Sequence, residues 1–565
     1  MIKGLSEQPW FRKALVSMVG RPHLARFEKA ARDVRATQSA VLKQMVDTAA
    51  NTAFGRDHGL GKVRTVDEFR RAIPICDFEY HRPYVERMCR GETDVLFPGE
   101  ALCYNTTSGT TAKPKLIPVS PDYFRNAYSG LSRLWLYSCL KDNPRLYDGK
   151  SLSAVAPAED GTVEDGKPYG SISGMIYRNI PGILKSTYSV PYPLICIRDY
   201  HKKYYAMMRG ALAADITYII SPSPSNLLMF HHTVMEHFDE LVRDTRDGTL
   251  NAAVAAEIDP SVRDEALAWF RPDPRRSREL EQLMAHYGDD LRPKHYWPNL
   301  ALVNVWKQGN FRLLLPRLAG YYPTTTVLRA FGYQASEGRA GLVLGNDWDY
   351  SALAAHIYHF EFVEESARNE AEPRTLLAHD VEVGKRYFLL FSNGSGLFRY
   401  DINDLVEITG FRDTIPLFRF IQKGEGITSI TGEKLAEEQV IQAVEESSRA
   451  RECKIEFYCL VCDEAELCYR FFVEFGQGVA EEKRRTFCDV VDRRLRALNP
   501  EYEIKRGSER LAQPIMFELR KGSTEGLKEQ LIKRGLARAG QYKSTFLTNR
   551  PATLEILRGL CRKKD

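Results

Sequence analysis

The sequence predicts an α/β protein with a large N-terminal domain of mixed sheets and a smaller α+β domain at the C-terminal end. Three observations carry that reading. Up to Phe420, apolar strand-like runs alternate with segments of helical period, the pattern of layered α/β folds. At 565 residues the chain exceeds what one hydrophobic core supports. The composition then changes: Gln422-Lys423-Gly424-Glu425-Gly426 is polar and glycine-rich, the chemistry of a hinge. The predicted domains are therefore 1–422 and 423–565.

Taken in order, residues 38–52 set Val41, Leu42, Met45 and Val46 on one helical face. Ser120-Pro121-Asp122 is a helix start, with Ser as cap and Pro at the first position. The helix that follows spaces Phe124, Ala127, Tyr128, Leu131, Leu134 and Trp135 as a core face. Residues 244–290 are charged and helical and read as an exposed insertion. Residues 301–305, 324–329 and 386–391 read as buried strands. Beyond the polar segment come a helix over 436–447, a hairpin turning at 463–466, a helix over 481–498 and a basic tail.

Composition excludes several classes. A net charge of +5 spread along the chain argues against nucleic acid as the main partner. Residues 1–20 carry charges and no long apolar run, so no signal peptide is expected. No window of about eighteen apolar residues occurs, so no spanning helix and no membrane partner are expected. The expectation is a soluble, cytoplasmic monomer. Eleven scattered cysteines suit a reducing compartment. Cys459, Cys462 and Cys468 resemble a metal cluster by spacing, but their flanks alternate like strands, and Cys459 and Cys462 then face opposite sides. The reading is a hairpin rather than zinc. His231, His232 and His237 fall on a predicted helix and read as surface residues.

The most informative stretch is Tyr104-Asn105-Thr106-Thr107-Ser108-Gly109-Thr110-Thr111-Ala112-Lys113-Pro114-Lys115. Five hydroxyls and one Gly occupy residues 106–111, with two lysines close behind. Hydroxyls, backbone N–H groups and ammonium groups in such a loop can wrap a polyphosphate. Taken alone, the stretch reads better as a solvated Thr-rich turn. There is no Gly-x-x-x-x-Gly-Lys-Ser/Thr string, and no Gly-x-Gly-x-x-Gly follows a strand. Gly170-Ser171-Ile172-Ser173-Gly174 has Ile172 where a nucleophile elbow needs Ser, which removes serine hydrolase chemistry.

Two later motifs change the weighting. Phe331-Gly332-Tyr333-Gln334-Ala335-Ser336-Glu337-Gly338 follows an apolar strand, where α/β folds bind ligands. Tyr333 can stack on a base, Ser336 can bond a phosphate, and Glu337 can ligate Mg2+. Gly396-Leu397-Phe398-Arg399-Tyr400-Asp401-Ile402-Asn403-Asp404 ends in carboxylates that can accept from ribose hydroxyls, with Asp401 and Asp404 both candidates.

In this order the three motifs resemble the adenylate-forming superfamily of acyl-CoA synthetases and luciferase. The nearer resemblance is to the Gretchen Hagen three acyl acid amido synthetases, and it covers nearly the whole chain. Asn51-Thr52-Ala53-Phe54-Gly55, Val190-Pro191-Tyr192-Pro193, Trp297-Pro298-Asn299, Phe360-Glu361-Phe362-Val363 and Gln541-Tyr542-Lys543 belong to it. The resemblance implies a large adenylate-forming domain and a mobile C-terminal cap. It implies that Thr107, Ser108, Gly109, Thr110, Thr111 and Lys115 hold the phosphates of ATP, and that Tyr333 stacks on adenine. Ser336 would contact the α-phosphate, Glu337 would bind Mg2+, and Asp404 would hold the ribose. Lys423 matches a basic hinge residue, and Lys543 the C-terminal lysine that reaches the adenylate. Ala112 and Asn403 stand where Gly is frequent, Asp401 replaces an Arg common in plant members, and the loop is one residue shorter. Those departures point to a microbial branch.

The implied activity is an ATP-dependent ligase that adenylates a carboxylic acid and passes the acyl group to an amine, an amino acid being the favoured acceptor. A thioester-forming ligase and a nucleotide-binding protein without turnover are the alternatives. Arg125, Trp135, Tyr169, Met175, Trp306 and Phe331 are candidates for the acid pocket, and core packing is the better reading for most of them.

Overall fold

The computed structural model describes residues 8–107, 115–180, 182–308, 315–316, 318–368, 370–424, 426–534 and 545–562. They group into two compact units: the first comprises residues 8–107 and 116–422, and the second comprises Lys115 and the residues from Lys423 onward. Among the described residues, no helix is long and apolar enough to cross a membrane.

In the first unit, strands Lys150–Ser153, Ile216–Ile220, Leu302–Val305 and Val327–Ala330 form a parallel sheet in that order. Ile219, Val303 and Val305 enter one core cluster, and Tyr218 and Leu302 enter another. Burial on both faces is why Ile216–Ile220 and Leu302–Val305 are predominantly apolar. A second sheet orders Lys115–Val119, Cys103–Thr107, Pro168–Gly170 and Gly161–Thr162, with Tyr104 opposite Tyr169 in parallel register. A seven-stranded sheet runs Thr375–Leu377, His359–Glu364, Arg386–Ser392, Tyr400–Arg412, Ile415–Lys423, Ser351–Leu353, Gly341–Leu342. The expected strands at 301–305, 324–329 and 386–391 thus occur at Leu302–Val305, Val327–Ala330 and Arg386–Ser392.

The first expected helix begins earlier, at Val34, because Asp33 caps it by accepting from Ala36 N at 2.9 Å. Leu42 and Val46 are buried on its inner face. Gln38 joins them: its Nε2 donates to the carbonyls of Ala355 and Tyr358, both at 2.7 Å, and its Oε1 accepts from Phe360 N at 2.7 Å.

Two sequence expectations are corrected here. Residues 244–290 are helical, but they are not an exposed insertion. Leu250, Val254, Ile258, Phe270 and Leu280 are buried in the cluster that holds Ile219 and Val303. Their charges occupy the outer faces and mask the apolar period. Asp244 itself is buried, accepting from Tyr205 Oη at 2.7 Å, Thr249 Oγ1 at 2.8 Å and Asn251 N at 2.8 Å. His231 is likewise a core residue, bonded to Tyr296 Oη at 3.1 Å, and burial lowers its pKa to about 4.

The second unit is α+β. Helices Glu437–Arg451 and Glu481–Leu498 pair with each other, and a hairpin joins Ile455–Asp463 to Cys468–Phe475. Strands Ile515–Glu518 and Leu547–Thr548 flank the hairpin in parallel to make four strands. Cys459 packs with Phe472 and Leu519, and Cys462 with Tyr469 and Leu495, on opposite faces as the alternation predicts.

Two other buried imidazoles set an acid limit. Burial is the main cause that lowers the pKa of His81 to about 4 and of His356 to about 3. The unfolded chain takes up these protons near the ordinary value of about 6.5. The folded values are depressed, so the stability is fully present above about pH 6.5 and declines as pH falls towards 4, by roughly 3 kcal/mol per histidine. Urea midpoints recorded from pH 7 to pH 4 should fall steadily. A flat profile across that window would contradict the assignment.

Candidate active site

The parallel strand Val327–Ala330 delivers the chain to a tight turn. Gly332 takes φ +93°, and a Cβ there would lie 2.8 Å from the Gly341 carbonyl. Ala335 N donates to Gly338 O at 2.9 Å and Gly338 N to Ala335 O at 3.2 Å, closing the turn around Ser336 and Glu337. Four side chains from outside clasp it. Asn105 Nδ2 (2.6 Å) and Tyr128 Oη (3.2 Å) donate to the Ser336 carbonyl. Tyr123 Oη and Asn393 Nδ2, both at 3.0 Å, donate to the Glu337 carbonyl. Backbone acceptors saturated in this way leave the turn little freedom, which suits a site that must hold fixed geometry.

Side chains of the three motifs meet here. Ser336 Oγ donates to the Thr106 carbonyl at 3.0 Å, joining the turn to the strand that leads into the Thr-rich loop. Tyr400 Oη donates to Glu337 Oε1 at 3.0 Å, and Tyr333 Oη donates to Asp404 Oδ2 at 2.5 Å. Glu337 and Asp404 are both buried. Burial, reinforced by the neighbouring carboxylates, pushes both tyrosine hydroxyls well above their ordinary pKa, so they remain donors at neutral pH. The Tyr333 ring is itself buried, with Phe418 at 5.4 Å and Phe420 at 6.3 Å.

The remaining candidates are placed as follows. Thr107 ends the strand Cys103–Thr107, Lys115 opens Lys115–Val119 and Lys423 closes Ile415–Lys423. Ser108, Gly109, Thr110, Thr111 and Lys543 lie outside the described residues. Of the two ribose candidates, Asp401 is engaged elsewhere: it forms an ion pair with Arg368 and accepts from Asn403 N at 2.7 Å. Asn403 adopts φ +58°, which explains why Asn can stand where Gly is frequent, since Asn tolerates the left-handed region best after Gly.

Sequence reasoning missed the clasp. Asn105 reads as one more polar residue in a strand. Tyr123 and Tyr128 lie five positions apart, off the helical period of 3.6, yet their rings are 5.2 Å apart. Residues Phe124–Gly130 form a π-helical stretch, whose wider turn aligns positions five apart. The third motif is also anchored from a distance. Arg399 Nε donates to Glu361 Oε2 at 2.9 Å and Nη1 to the Ile73 carbonyl at 2.8 Å, while Arg70 Nε reaches Glu361 Oε1 at 3.0 Å. His81 Nε2 accepts from Phe398 N at 3.2 Å.

The donor set fits a hard cation that takes most ligands from phosphate. Glu337 presents one buried carboxylate, and among the described residues no cluster of three or more His, Cys, Asp or Glu is placed to hold a metal alone. Gly338 tests the clasp directly. A Cβ there would lie 2.6 Å from Tyr123 Oη and 2.7 Å from Tyr358 Oη, which are bonded to each other at 3.0 Å. Gly338→Ala should displace both hydroxyls and cost about 1–3 kcal/mol of stability by overpacking, read in denaturant titrations. An unchanged midpoint would mean that the clasp is soft.

A clasped turn at the end of a parallel strand and a C-terminal α+β unit are the features of an adenylate-forming fold. The chain belongs to the GH3 family. It matches the GH3 family N-terminal domain over residues 23–327, the central domain over 351–423 and the C-terminal domain over 438–552. It is 25% identical to the jasmonoyl–L-amino acid synthetase GH3.5 of Oryza sativa subsp. japonica, over 95% of this chain and 96% of that protein. Among solved structures it is similar in fold to the AtGH3.15 acyl acid amido synthetase in complex with 2,4-DB, with TM-score 0.65, 21% identity and 96% of each chain covered. It is also similar to 2-hydroxyisobutyryl-CoA ligase in the thioesterification state, with TM-score 0.50, 12% identity, and 94% of this chain and 92% of that chain covered. Curated relatives come from Oryza sativa, Arabidopsis thaliana and Nicotiana attenuata, all plants, so the expectation of a microbial branch is not borne out.

Proposed function

We propose that this chain is an ATP-dependent acyl acid amido synthetase. It activates a carboxylic acid as the acyl adenylate with release of pyrophosphate, then transfers the acyl group to an amine, an amino acid by preference. The observation that carries the reading is the meeting of three distant motifs around residues 335–338: Ser336 on Thr106, Tyr400 on Glu337, Tyr333 on Asp404. Attack of a carboxylate on the α-phosphate asks the protein for placement and charge neutralisation rather than covalent help. The amide outcome, rather than a thioester, is favoured by the curated relatives, which are named as amino acid and indole-3-acetic acid-amido synthetases.

In this reading Thr107, Ser108, Gly109, Thr110, Thr111 and Lys115 hold the triphosphate. Ser336 meets the α-phosphate, Tyr333 stacks on adenine and Asp404 accepts from the ribose hydroxyls. Glu337 would hold Mg2+, which supplies charge neutralisation at the phosphates. The support for these roles is positional: the turn is rigidly clasped, Ser336 is tied to the strand that leads into the loop, and the two carboxylates each receive a tyrosine hydroxyl. The reaction is tested by product analysis. Incubation with ATP, an acid library and mixed amino acids should give acyl–amino acid conjugates and AMP. Thioester with coenzyme A and no conjugate would overturn the amide assignment.

The segment from Lys423 onward is proposed to act as a mobile cap. One pocket must admit ATP, exclude water and then admit a nucleophile, and a hinged body meets those demands in turn. Lys543 serves the first step by reaching the α-phosphate. Lys543→Ala should therefore slow acyl-adenylate formation by roughly 10²-fold or more, the scale for removal of one preorganised donor. Aminolysis of a supplied acyl adenylate should change much less. Equal losses in both half-reactions would remove Lys543 from the first step.

A further inference from the structure

Two residues beyond Glu337 lies a group of buried donors that the roles above do not use. Arg339 is 4% exposed, and its guanidinium sits 4.7 Å over the Trp135 ring and 5.6 Å from the Phe331 ring. Its Nη1 reaches Ser132 Oγ at 3.5 Å. Among the described residues, its Nε and Nη2 meet no acceptor, and neither does the indole Nε1 of Trp135 beneath it. The titratable groups that bear on it are Cys139, Tyr218 and Tyr358, none of them a carboxylate. Burial lowers its pKa to about 10, which still leaves it charged at neutral pH.

The buried, unfilled edge is chemically specific. Nε and Nη2 together form the fork that grips both oxygens of one carboxylate. The same edge holds Glu79 through Arg82 and Asp492 through Arg506 elsewhere in this chain. A guanidinium cannot shed its proton, so a buried one with this edge unfilled is costly, and the two aromatic faces offset only part of that cost. Buried donors without acceptors call for an anion.

Position along one helical path separates this anion from the reacting group. Tyr128 meets the Ser336 carbonyl, whereas Ser132 and Trp135 meet the Arg339 guanidinium. Those residues are four and seven positions farther on, beyond the π-helical stretch and within the helix Leu131–Asp142. The surroundings are the carboxyl ends of the parallel strands Leu302–Val305 and Val327–Ala330, with Trp306 and Phe331 6.2 Å apart, where an α/β sheet receives its ligand.

We infer that Arg339, with Trp135, receives a second carboxylate at the far end of the acyl acid, so that the preferred substrates are dicarboxylic acids. The inference rests on the adenylating role proposed above. Arg339 acts here as a specificity-determining residue that binds the remote carboxylate and takes no part in the bond-forming step.

The test compares a graded series of α,ω-dicarboxylic and benzenedicarboxylic acids with their monomethyl esters in ATP–pyrophosphate exchange. The parent protein should prefer at least one diacid over its ester by 100-fold or more in kcat/KM, mostly through KM. Arg339→Met should collapse that ratio towards unity, and Arg339→Lys, which keeps charge but lacks the fork, should restore only part of it. No preference in the parent, or an undiminished preference in Arg339→Met, would overturn the inference. Binding is read separately, without ATP, as thermal protection by the same acids. Protection by a diacid that is lost in Arg339→Met sustains the inference even if no acid drives exchange, in which case the adenylating reading fails instead. No protection of the parent by any diacid, with no exchange either, overturns both.

Discussion

Glu337→Gln is expected to lower acid-dependent ATP–pyrophosphate exchange by roughly 10²–10³-fold, the scale at which one lost electrostatic contact to a developing charge is felt. The substitution keeps the shape of the side chain and an acceptor for the Tyr400 hydroxyl, which now meets Oε1 at 3.0 Å. The carbonyl of residue 337 keeps its donors Tyr123 and Asn393. The loss should therefore appear in activity while the denaturation midpoint stays close to the parent, and excess Mg2+ should not restore it. Asp404→Ala should show a comparable loss through ribose placement and should also release the Tyr333 hydroxyl. Exchange at the parent rate in both variants would end the assignment of this turn as the nucleotide site.

The largest effect on stability is expected at Glu361. Its side chain is 2% exposed, and that of Arg399 is 7% exposed. Glu361 receives Arg399 through two hydrogen bonds, Arg70 through one and Thr375 Oγ1 at 2.6 Å. Glu361→Leu leaves Arg399 buried with no anion and should cost about 3–5 kcal/mol. Adding Arg399→Met to it should recover part of that loss, because the second change removes the stranded charge. Burial pushes the Glu361 carboxyl pKa up, but Arg399, His359 and the hydrogen bonds outweigh it, and the net shift is downward. The folded value lies below the unfolded value of about 4.3, so this stabilisation is present above that pH and is lost as pH falls through the folded value. Chemical denaturation of the single and double variants measures both statements. Additive losses would mean that the pair is not coupled.

Much of the fold was legible in the chain because burial on both faces writes itself as an apolar run. Residues 301–305 and 386–391 are of that kind, and the alternation around Cys459 and Cys462 placed them on opposite faces. The insertion at 244–290 was misread because outward charges dominate its composition while Leu250, Val254 and Phe270 turn inward. Within the candidate site, the motifs named Ser336, Glu337, Tyr333 and Asp404, but not what holds them. Asn105 and Ser336 are 231 residues apart in sequence, and Arg399 and Glu361 are 38 apart. Pairings at such separations leave no local period. The helical face named Tyr128 but not its pairing with Tyr123, which the wider turn of the π-helical stretch Phe124–Gly130 brings about.

The turn at residues 335–338 is proposed to serve adenylation, and acid-dependent ATP–pyrophosphate exchange reads that role without help from the second half-reaction. With a library of carboxylic acids and Mg2+, labelled pyrophosphate should enter ATP only when a competent acid is present, with no amine required. Exchange that is absent across the library, or cleavage of ATP to ADP and phosphate in its place, would contradict the account.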